Sequence, residues 1–595
     1  MSRLQSMIHT LEEGAGVRVI KGLLLALVTA ASAIAYNLNE FRNFSSPEAM
    51  DAAQLARNVA EGRGFTTDFV RPLSLHLVAR QRGTSDLGLH APHPDLANAP
   101  LYPLALAGLL KVVALDFTIR NPAEFRTYQP ETVIAWFNQG LFLLALGLTY
   151  RLGKKLFDDM VAWTAVALLV GTDLMWRFSI SGLSTMLLLV LVLALANCLA
   201  TLEAGTRELP VRGAADVIFR ALLAGILVAL AGLTRYSFLL LIVPVIAFLV
   251  LSLSGGRRVA ACLVAVLAFV GLTTPWLVRN QQLSGAPFGV ASFAACEESM
   301  RFPGQKLPRS LNPRDAATPA DLDKFAVGEY QDKLWVNLAR VIQEDLPKLG
   351  GNWIAGLFLA ALLVRFRNPG LVRMRVFLVL ALLGLSVAQA LGRTQWSAMS
   401  PEVNGENLLV VLAPLVFVFG AGFFSLLLDQ LEIQFPPARR LVIGVLVAIA
   451  SLPLILTFVG PRKSPVAYPP YYPPIIQEAA GWLKRDELMM SDAPWAVAWY
   501  GHRPCVWLTW DIARDFNAIH AVKPVQGLYL TPLTMDGHFL SQMLRGEERV
   551  WGRFAVESLV KEEVPTGFPL KHAFTGWLPD QLFLADRPRW RDAGK

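Results

Sequence analysis

Stretches of about 17–20 apolar residues recur along this chain, and they constrain its fold more than any other feature. A helix of roughly that length crosses the ~30 Å hydrocarbon core, where lipid offers no partner to an unpaired backbone group. Such runs lie near 18–37, 131–150, 160–176, 184–202, 217–234, 236–253, 259–277, 350–365, 375–391, 407–427 and 441–459. They predict a polytopic α-helical membrane protein of about 11 transmembrane helices. Composition agrees: 54% of residues are hydrophobic and 17% charged, where a soluble domain carries roughly 25% charged. The first run, Ile20 to Tyr36, is long for a signal peptide and lacks a small-residue cleavage site, so it reads as a retained span.

The net charge of +8 is no sign of nucleic acid. Much of the Lys and Arg sits in short connections: "RLGKKLFDD" (151–159), "GGRR" (255–258), "RFRNPGLVRMR" (365–375) and "PPARR" (436–440). All four fall on one side of the predicted spans, and the positive-inside rule makes that side cytoplasmic. The N-terminus is then cytoplasmic and the C-terminus external. Three long segments lie outside: 38–130, 278–349 and 460–595. The first includes "APLYPLALAGLLKVVAL" (99–115), too short for a span and carrying Lys111, hence an interfacial helix.

Character changes at 460. A proline-rich opening, "PVAYPPYYPPII", gives way to a helix near 475–485, then "ELMMSD", a helix around "WAVAWYG", and the strand-like runs "PCVWLTW", "GLYLT" and "QLFLAD". The expected organisation is therefore a transmembrane module over 1–459 and a small external α/β domain over 460–595. Cys198 and Cys262 fall in predicted spans; Cys296 and Cys505 fall outside, where pairing stays open.

Phosphate-loop, H-E-x-x-H, C-x-x-C and G-x-S-x-G motifs are absent, so ATP-driven transport and zinc hydrolysis find no support. Acids are scarce within spans and gather at their external ends. The clearest case is "SSPEAMDAAQLARNVAEGRGF" (45–65), directly after the first span. Ser46 suits an N-cap, Pro47 the first helical position, and Gly62 or Gly64 the stop. Ala52, Leu55 and Val59 make an apolar stripe, with Gln54 and Asn58 on other faces. Glu48 and Asp51, three apart, share one side and can face a common cavity. Two acids in a first turn also simply suit the helix dipole.

That segment resembles the first external loop of the GT-C superfamily, the transferases that use polyprenyl-phosphate sugars. The nearest resemblance is to relatives of the protein O-mannosyltransferases and of the lipid A aminoarabinose transferase. Their first span is followed by an Asp, a second acid or polar residue three later, often a Tyr, and "A-R-x-x-x-x-G-x-G". Here Glu48 takes the place of the first Asp, and Ala52 that of the Tyr; register favours Glu48, residue identity Asp51. "HPDLANAPLYPLALAGLL" (93–110), "FSISGLSTMLLLVLVLAL" (178–195), "GLTRYSFLLLIVP" (232–244) and "PWLVRNQQLSGAPF" (275–288) resemble later family segments in order. In "VNGENLLVVLAPLVFVFGAG" (403–422), Glu406-Asn407 stand where the family commonly has Arg-Tyr.

The resemblance implies a glycosyltransferase that moves a sugar from a polyprenyl-phosphate-linked donor to an extracytoplasmic glycan, lipid or protein acceptor, with inversion, at a bacterial inner membrane. Glu48 or Asp51 would accept or orient the acceptor proton, and Arg279 and Arg235 would hold the donor phosphate. The rival role for either arginine is an interfacial anchor. His93 and Tyr102 are the candidates for contacting substrate; His90 and His93, both in the first loop, suit a metal or the acceptor or, more commonly, plain solvation. No cofactor is required by sequence, no metal ligand is assigned, and a divalent ion has no supporting motif. "MRFPGQKLPRSLNPRD" (300–315) reads as a solvated basic loop that can cover an acceptor phosphate. Trp353, Trp396 and the "WAVAWYG" aromatics suit a sugar or, more commonly beside spans, the interfacial belt. The rival functions are a lipid or polysaccharide transporter, which would need internal symmetry and a polar midplane, and a non-catalytic binding relative.

Overall fold

The computed structural model describes residues 15–207, 213–299, 302–311, 327–351, 353–394, 396–397, 402–431, 436–460, 472–535, 549–560, 564–565, 567–577 and 580–591. Most of them are helical. Seven helices among the described residues are long and apolar enough to cross a membrane, and three bent pairs raise the number to ten. The bent pairs are Asp159–Val170 with Asp173–Ile180, Tyr330–Lys348 with Trp353–Leu363, and Pro437–Ala450 with Leu452–Val459. Outward apolar side chains such as Leu23, Leu27, Val259 and Leu267 are more than half exposed in the isolated chain, as lipid-facing positions should be.

The eleventh expected span corresponds to the shorter apolar helix Tyr236–Ser252. Its first turns, Tyr236–Leu241, are 3-10 and only Ile242–Ser252 is α-helical. The 3-10 rise of about 2.0 Å per residue stretches it toward the ~30 Å core despite its length. Leu101–Val112, with 12 residues, falls short of a span, in line with an interfacial role.

The strands after residue 487, joined by one from the first loop, form one six-stranded sheet, in the order β2-β5-β4-β6-β8-β7. Its members are β2 (Phe69–Val70), β4 (Leu488–Ser491), β5 (Cys505–Trp507), β6 (Val525–Leu530), β7 (His572–Phe574) and β8 (Leu582–Ala585). Strands β2, β5, β4 and β6 run parallel; β8 joins β6, and β7 joins β8, antiparallel. The helices Pro473–Gly481 and Pro494–Tyr500 alternate with these strands as the sequence pattern predicts. Unforeseen is β2: the loop after the first span supplies an edge strand, pairing Phe69 with Cys505 and Val70 with Val506. A separate two-stranded sheet pairs β1 (Thr66–Thr67) with β3 (His93–Pro94).

The large loop departs from the solvated picture. Phe302, Leu307, Arg309 and Ser310 are buried. Arg309 Nε donates to the Leu508 carbonyl at 2.6 Å, Trp510 N to the Arg309 carbonyl at 2.9 Å, and Leu311 N to Asp515 Oδ2 at 3.0 Å. Proline-punctuated chain here serves as packing against the sheet's carboxyl edge. Residues 300–301 and 312–315 of that stretch, and 465–471 of the proline-rich opening, lie outside the described residues. All four cysteines are free thiols: Cys505 is buried in β5, and Cys296 Sγ lies 3.5 Å from the Tyr330 hydroxyl.

Candidate functional site

The helix of the first loop spans Pro47–Ala60, begun by Ser46 in extended conformation with Pro47 behind it. It ends where expected, and Gly62 and Gly64 take φ of 80° and 72°, which a glycine adopts without strain. The Ser46 hydroxyl does not accept from the helix backbone. It donates instead to Glu48 Oε2 at 2.6 Å. Ala52 and Leu55 of the apolar stripe are buried and Val59 partly so, but Asp51, Gln54, Arg57 and Asn58 are buried too, because the helix is packed on several sides. Among its neighbours are Leu101–Val112 and Pro494–Tyr500.

A cavity of about 260 Å³ opens beside this helix. Glu48 and Asp51 line it, as do Tyr102 and Arg235 from the sequence-derived set. Arg71, Asn98, Glu297, Thr394, Trp396 and Glu406, from four further loop segments, complete its polar wall.

The two acids of the helix differ in their partners. Asp51 is 2% exposed and fully engaged: Oδ2 accepts from Arg71 Nη2 at 2.7 Å and Asn98 Nδ2 at 2.9 Å, Oδ1 from Gln54 Nε2 at 3.0 Å. Glu48 takes the Ser46 hydroxyl on Oε2, and among the described residues no donor reaches Oε1. Arg235 ends the helix Ala214–Thr234 in extended backbone, φ −155°, before the 3-10 turn. Its guanidinium and the Glu48 carboxylate converge on Gly405, where a Cβ would sit 2.5 Å from Arg235 Nη1 and 2.8 Å from Glu48 Oε1. Only the absence of a side chain at 405 lets both charges reach this point.

Glu406 follows at once, 6% exposed. Thr394 N donates to its Oε2 at 2.9 Å, and the Thr394 hydroxyl donates to Oε1. Burial, then the like charge of Glu48, push its pKa up to about 7 against those hydrogen bonds and Arg235. Glu297 is likewise pushed up to about 7, by burial first and against the pull of Lys333. Behind Asp51, burial and the Asp51 charge raise Asp95 to about 6, and Asn98 bridges the two acids, donating from Nδ2 at 2.9 and 3.3 Å. Among the described residues, Glu48, Asp51, Glu297 and Glu406 thus share the cavity lining with two cations, Arg71 and Arg235. Such a wall can accept a proton and can steady an anion at one defined point, beside Arg235.

Three of the sequence-derived residues serve elsewhere or face partly away. Arg279 does not line the cavity. Its Nη1 donates to the Asp95 carbonyl at 3.0 Å and to Asn280 Oδ1 at 2.9 Å, its Nη2 to the Phe65 carbonyl at 3.4 Å, and it lies 4.5 Å over Trp276. His93 sits in β3, its Nε2 2.9 Å from Ser74 Oγ. Burial, with Arg82 and Arg71, pulls its pKa down to about 4, so the ring is neutral. Tyr102 lines the cavity, but its hydroxyl points behind the wall, donating to the Gly182 carbonyl at 2.8 Å. His90 is exposed in its loop, and Trp353 is 70% exposed.

Sequence reasoning missed Arg71, Glu297 and Thr394, polar residues in loops with no periodic signal; Asn98 was visible only as a departure, with Ala99, from a more usual His or Pro pair. Glu406 was visible only as a departure from Arg-Tyr.

No family model and no curated protein sequence matches this chain. Solved structures do. The oligosaccharyltransferase of Archaeoglobus fulgidus with a tethered acceptor peptide matches at TM-score 0.54 and 11% identity, over 96% of this chain and 74% of that one. AglB of the same organism, in complex with an inhibitory peptide and a dolichol phosphate, matches at 0.53 and 11%, over 96% and 75%. ArnT from Cupriavidus metallidurans bound to undecaprenyl phosphate matches at 0.52 and 11%, over 97% and 99%. Across nearly its whole length, this chain shares the fold of these oligosaccharyltransferase and ArnT structures.

Proposed function

We propose that this protein is a glycosyltransferase that moves a sugar from a polyprenyl-phosphate-linked donor to an acceptor outside the cytoplasm. The observation that carries the reading is the meeting of an open carboxylate, Glu48, with Arg235 in one cavity on the loop side of the bundle. The solved relatives that hold dolichol phosphate or undecaprenyl phosphate support the class of donor.

Glu48 accepts or orients the acceptor's proton as its oxygen or nitrogen attacks the anomeric carbon, a role worth about 10²–10⁴-fold in rate. The bond from that carbon to the phosphate oxygen breaks on the opposite face, giving inversion. Arg235 stabilises the charge that gathers on the departing phosphate. Asp51 holds Arg71 and Asn98 in place rather than taking the proton, because its oxygens already have three donors. The protein sits in a bacterial inner membrane with its N-terminus cytoplasmic. Residues 1–459 form its transferase module and 460–595 its periplasmic domain.

The test is transfer by purified protein in proteoliposomes from a panel of undecaprenyl-phosphate sugars, with envelope glycans compared by mass spectrometry in cells with and without the gene. Glu48→Gln should lower kcat by at least a hundredfold with donor binding kept. Full transfer by both Glu48→Gln and Asp51→Asn would overturn the site assignment.

A further inference from the structure

One aromatic residue of the cavity wall has no part in the chemistry above. Trp396 lies two residues past Thr394, and its backbone N–H donates to the Thr394 hydroxyl at 3.3 Å. Thr394 in turn holds Glu406. The loop therefore ties this indole to the acids around Glu48.

Its orientation is fixed from behind. Trp396 stacks on Trp507 of β5 with centroids 5.3 Å apart and planes at 19°. Trp495 meets it edge-on at 5.0 Å and 84°. Both supporting rings are buried, at 2% and 0% exposure, and both contact Phe69 of β2, at 5.6 and 5.8 Å. Arg71, the partner of Asp51, lies 3.9 Å over that same Phe69 ring. A half-buried indole held this firmly beside carboxylates is not an interfacial anchor. Belt tryptophans turn toward headgroups, whereas this ring faces a cavity. The cavity, at about 260 Å³, lies just below the ~300 Å³ low end for small-ligand pockets.

We propose that Trp396 is the platform on which the sugar of the donor rests before transfer. The proposal depends on the transferase reading above. A pyranose has one face of C–H groups and a rim of hydroxyls. The indole offers a flat apolar surface with a negative π face to the first, and Glu406 offers acceptors to the second. The external sheet then has a function in the site: through Trp507 and Trp495 it sets the tilt of the platform.

The test separates the sugar from its lipid. Binding of plain undecaprenyl phosphate, and of undecaprenyl phosphate carrying glucose, galactose, mannose or N-acetylglucosamine, is measured on full-length protein in nanodiscs, alongside transfer from each loaded donor. The probes are compared for wild type, Trp396→Phe, Trp396→Leu and Trp396→Ala. Trp396→Ala should weaken binding of the transferred donor roughly three- to tenfold, the scale of one aromatic contact, and leave plain undecaprenyl phosphate unchanged. Trp396→Phe should recover much of the loss, and Trp396→Leu, with bulk but no flat face, should not. Equal weakening of loaded and plain lipid would overturn the platform, because the ring would then serve the lipid or the fold. So would wild-type affinity for the transferred donor in Trp396→Ala. A wild-type protein that transfers from no loaded donor would overturn the functional reading itself, and the platform with it.

Discussion

Arg57 lies on the same helix as Glu48 but points to the helix Pro494–Tyr500 beside the six-stranded sheet, and its replacement tests whether that sheet region positions the site. It is 1% exposed. Nη1 and Nη2 donate to the carbonyls of Trp499 and Ala498, at 2.7 Å each, at the C-terminal end of the helix Pro494–Tyr500. A cation belongs there, where the helix dipole is negative. Asp68 Oδ2 lies 3.7 Å away and the Trp499 ring 5.5 Å. Burial pulls the Arg57 pKa down, and Asp68 opposes it. Arg57→Ala leaves two buried helix-end carbonyls without their donor, a loss of about 3–5 kcal/mol at roughly 1.5–3 kcal/mol for each hydrogen bond to a charged group, while Asp68 keeps Arg63 at 3.2 Å. If the sheet opens as a unit, that converts to roughly a 10²–10⁴-fold larger open population. Cys505 reports it: the thiol is free and fully buried in β5, beside β2. Maleimide labelling followed by mass spectrometry should show Cys505 reacting faster by about that factor, with Cys198 in the bundle as the unchanged reference. Arg57→Lys, able to reach one carbonyl well, should fall between. Transfer should drop in step, through kcat, as the helix bearing Glu48 loses its support. Cys505 labelling within threefold of wild type in Arg57→Ala would refute the coupling.

Glu131 makes the second tie, with Oε1 accepting from Trp499 Nε1 at 2.8 Å and the Tyr500 hydroxyl at 2.6 Å, and Oε2 from Phe44 N at 2.8 Å. Glu131→Ala combined with Arg57→Ala should cost less than the two added, since both hold one helix end, and a double-mutant cycle on Cys505 labelling measures this. A Glu406 carboxyl titrates near 4.5 when unfolded and about 7 when folded. The folded state thus holds the extra proton between those values, and stability falls as pH rises through that window, by roughly 3 kcal/mol in all. Thermal midpoints of wild type and Glu406→Gln between pH 5 and 8 should show the variant losing most of this slope. Gly405→Ala should depress kcat well beyond its effect on the thermal midpoint, since the new methyl displaces Arg235 and Glu48 together. Arg279→Lys should lower stability with the donor KM within about threefold, because its present partners are the carbonyls of Asp95 and Phe65 and the Asn280 side chain. A large, isolated rise in donor KM would return Arg279 to the phosphate.

The bundle was legible because hydrocarbon imposes a length and a polarity that can be counted residue by residue. The same counting placed a span at 236–253, but hydropathy does not record that its first turns, Tyr236–Leu241, are 3-10, a choice of backbone that changes the rise per residue. The strands after 485 were legible from alternation and punctuation. The two-residue strand Phe69–Val70 was not, since its pairing is decided by Cys505 and Val506 far along the chain.

For the site, spacing put Glu48 and Asp51 on one side of one helix, and they do share a cavity. Spacing is silent on which acid is free, because that depends on partners brought by distant loops. Arg71 and Asn98 saturate Asp51, and the bare backbone of Gly405 keeps the far side of Glu48 open to Arg235. The substitution at 406 has the same explanation. With Thr394 hydrogen-bonded to both of its oxygens, and Glu48 and Arg235 nearby, an acid at 406 is a formed part of the wall. On the proposed donor, a carboxyl held near neutrality beside Glu48 would let the cavity lose one negative charge as an anionic lipid enters, which is what a wall with more acids than arginines would need to receive a phosphate.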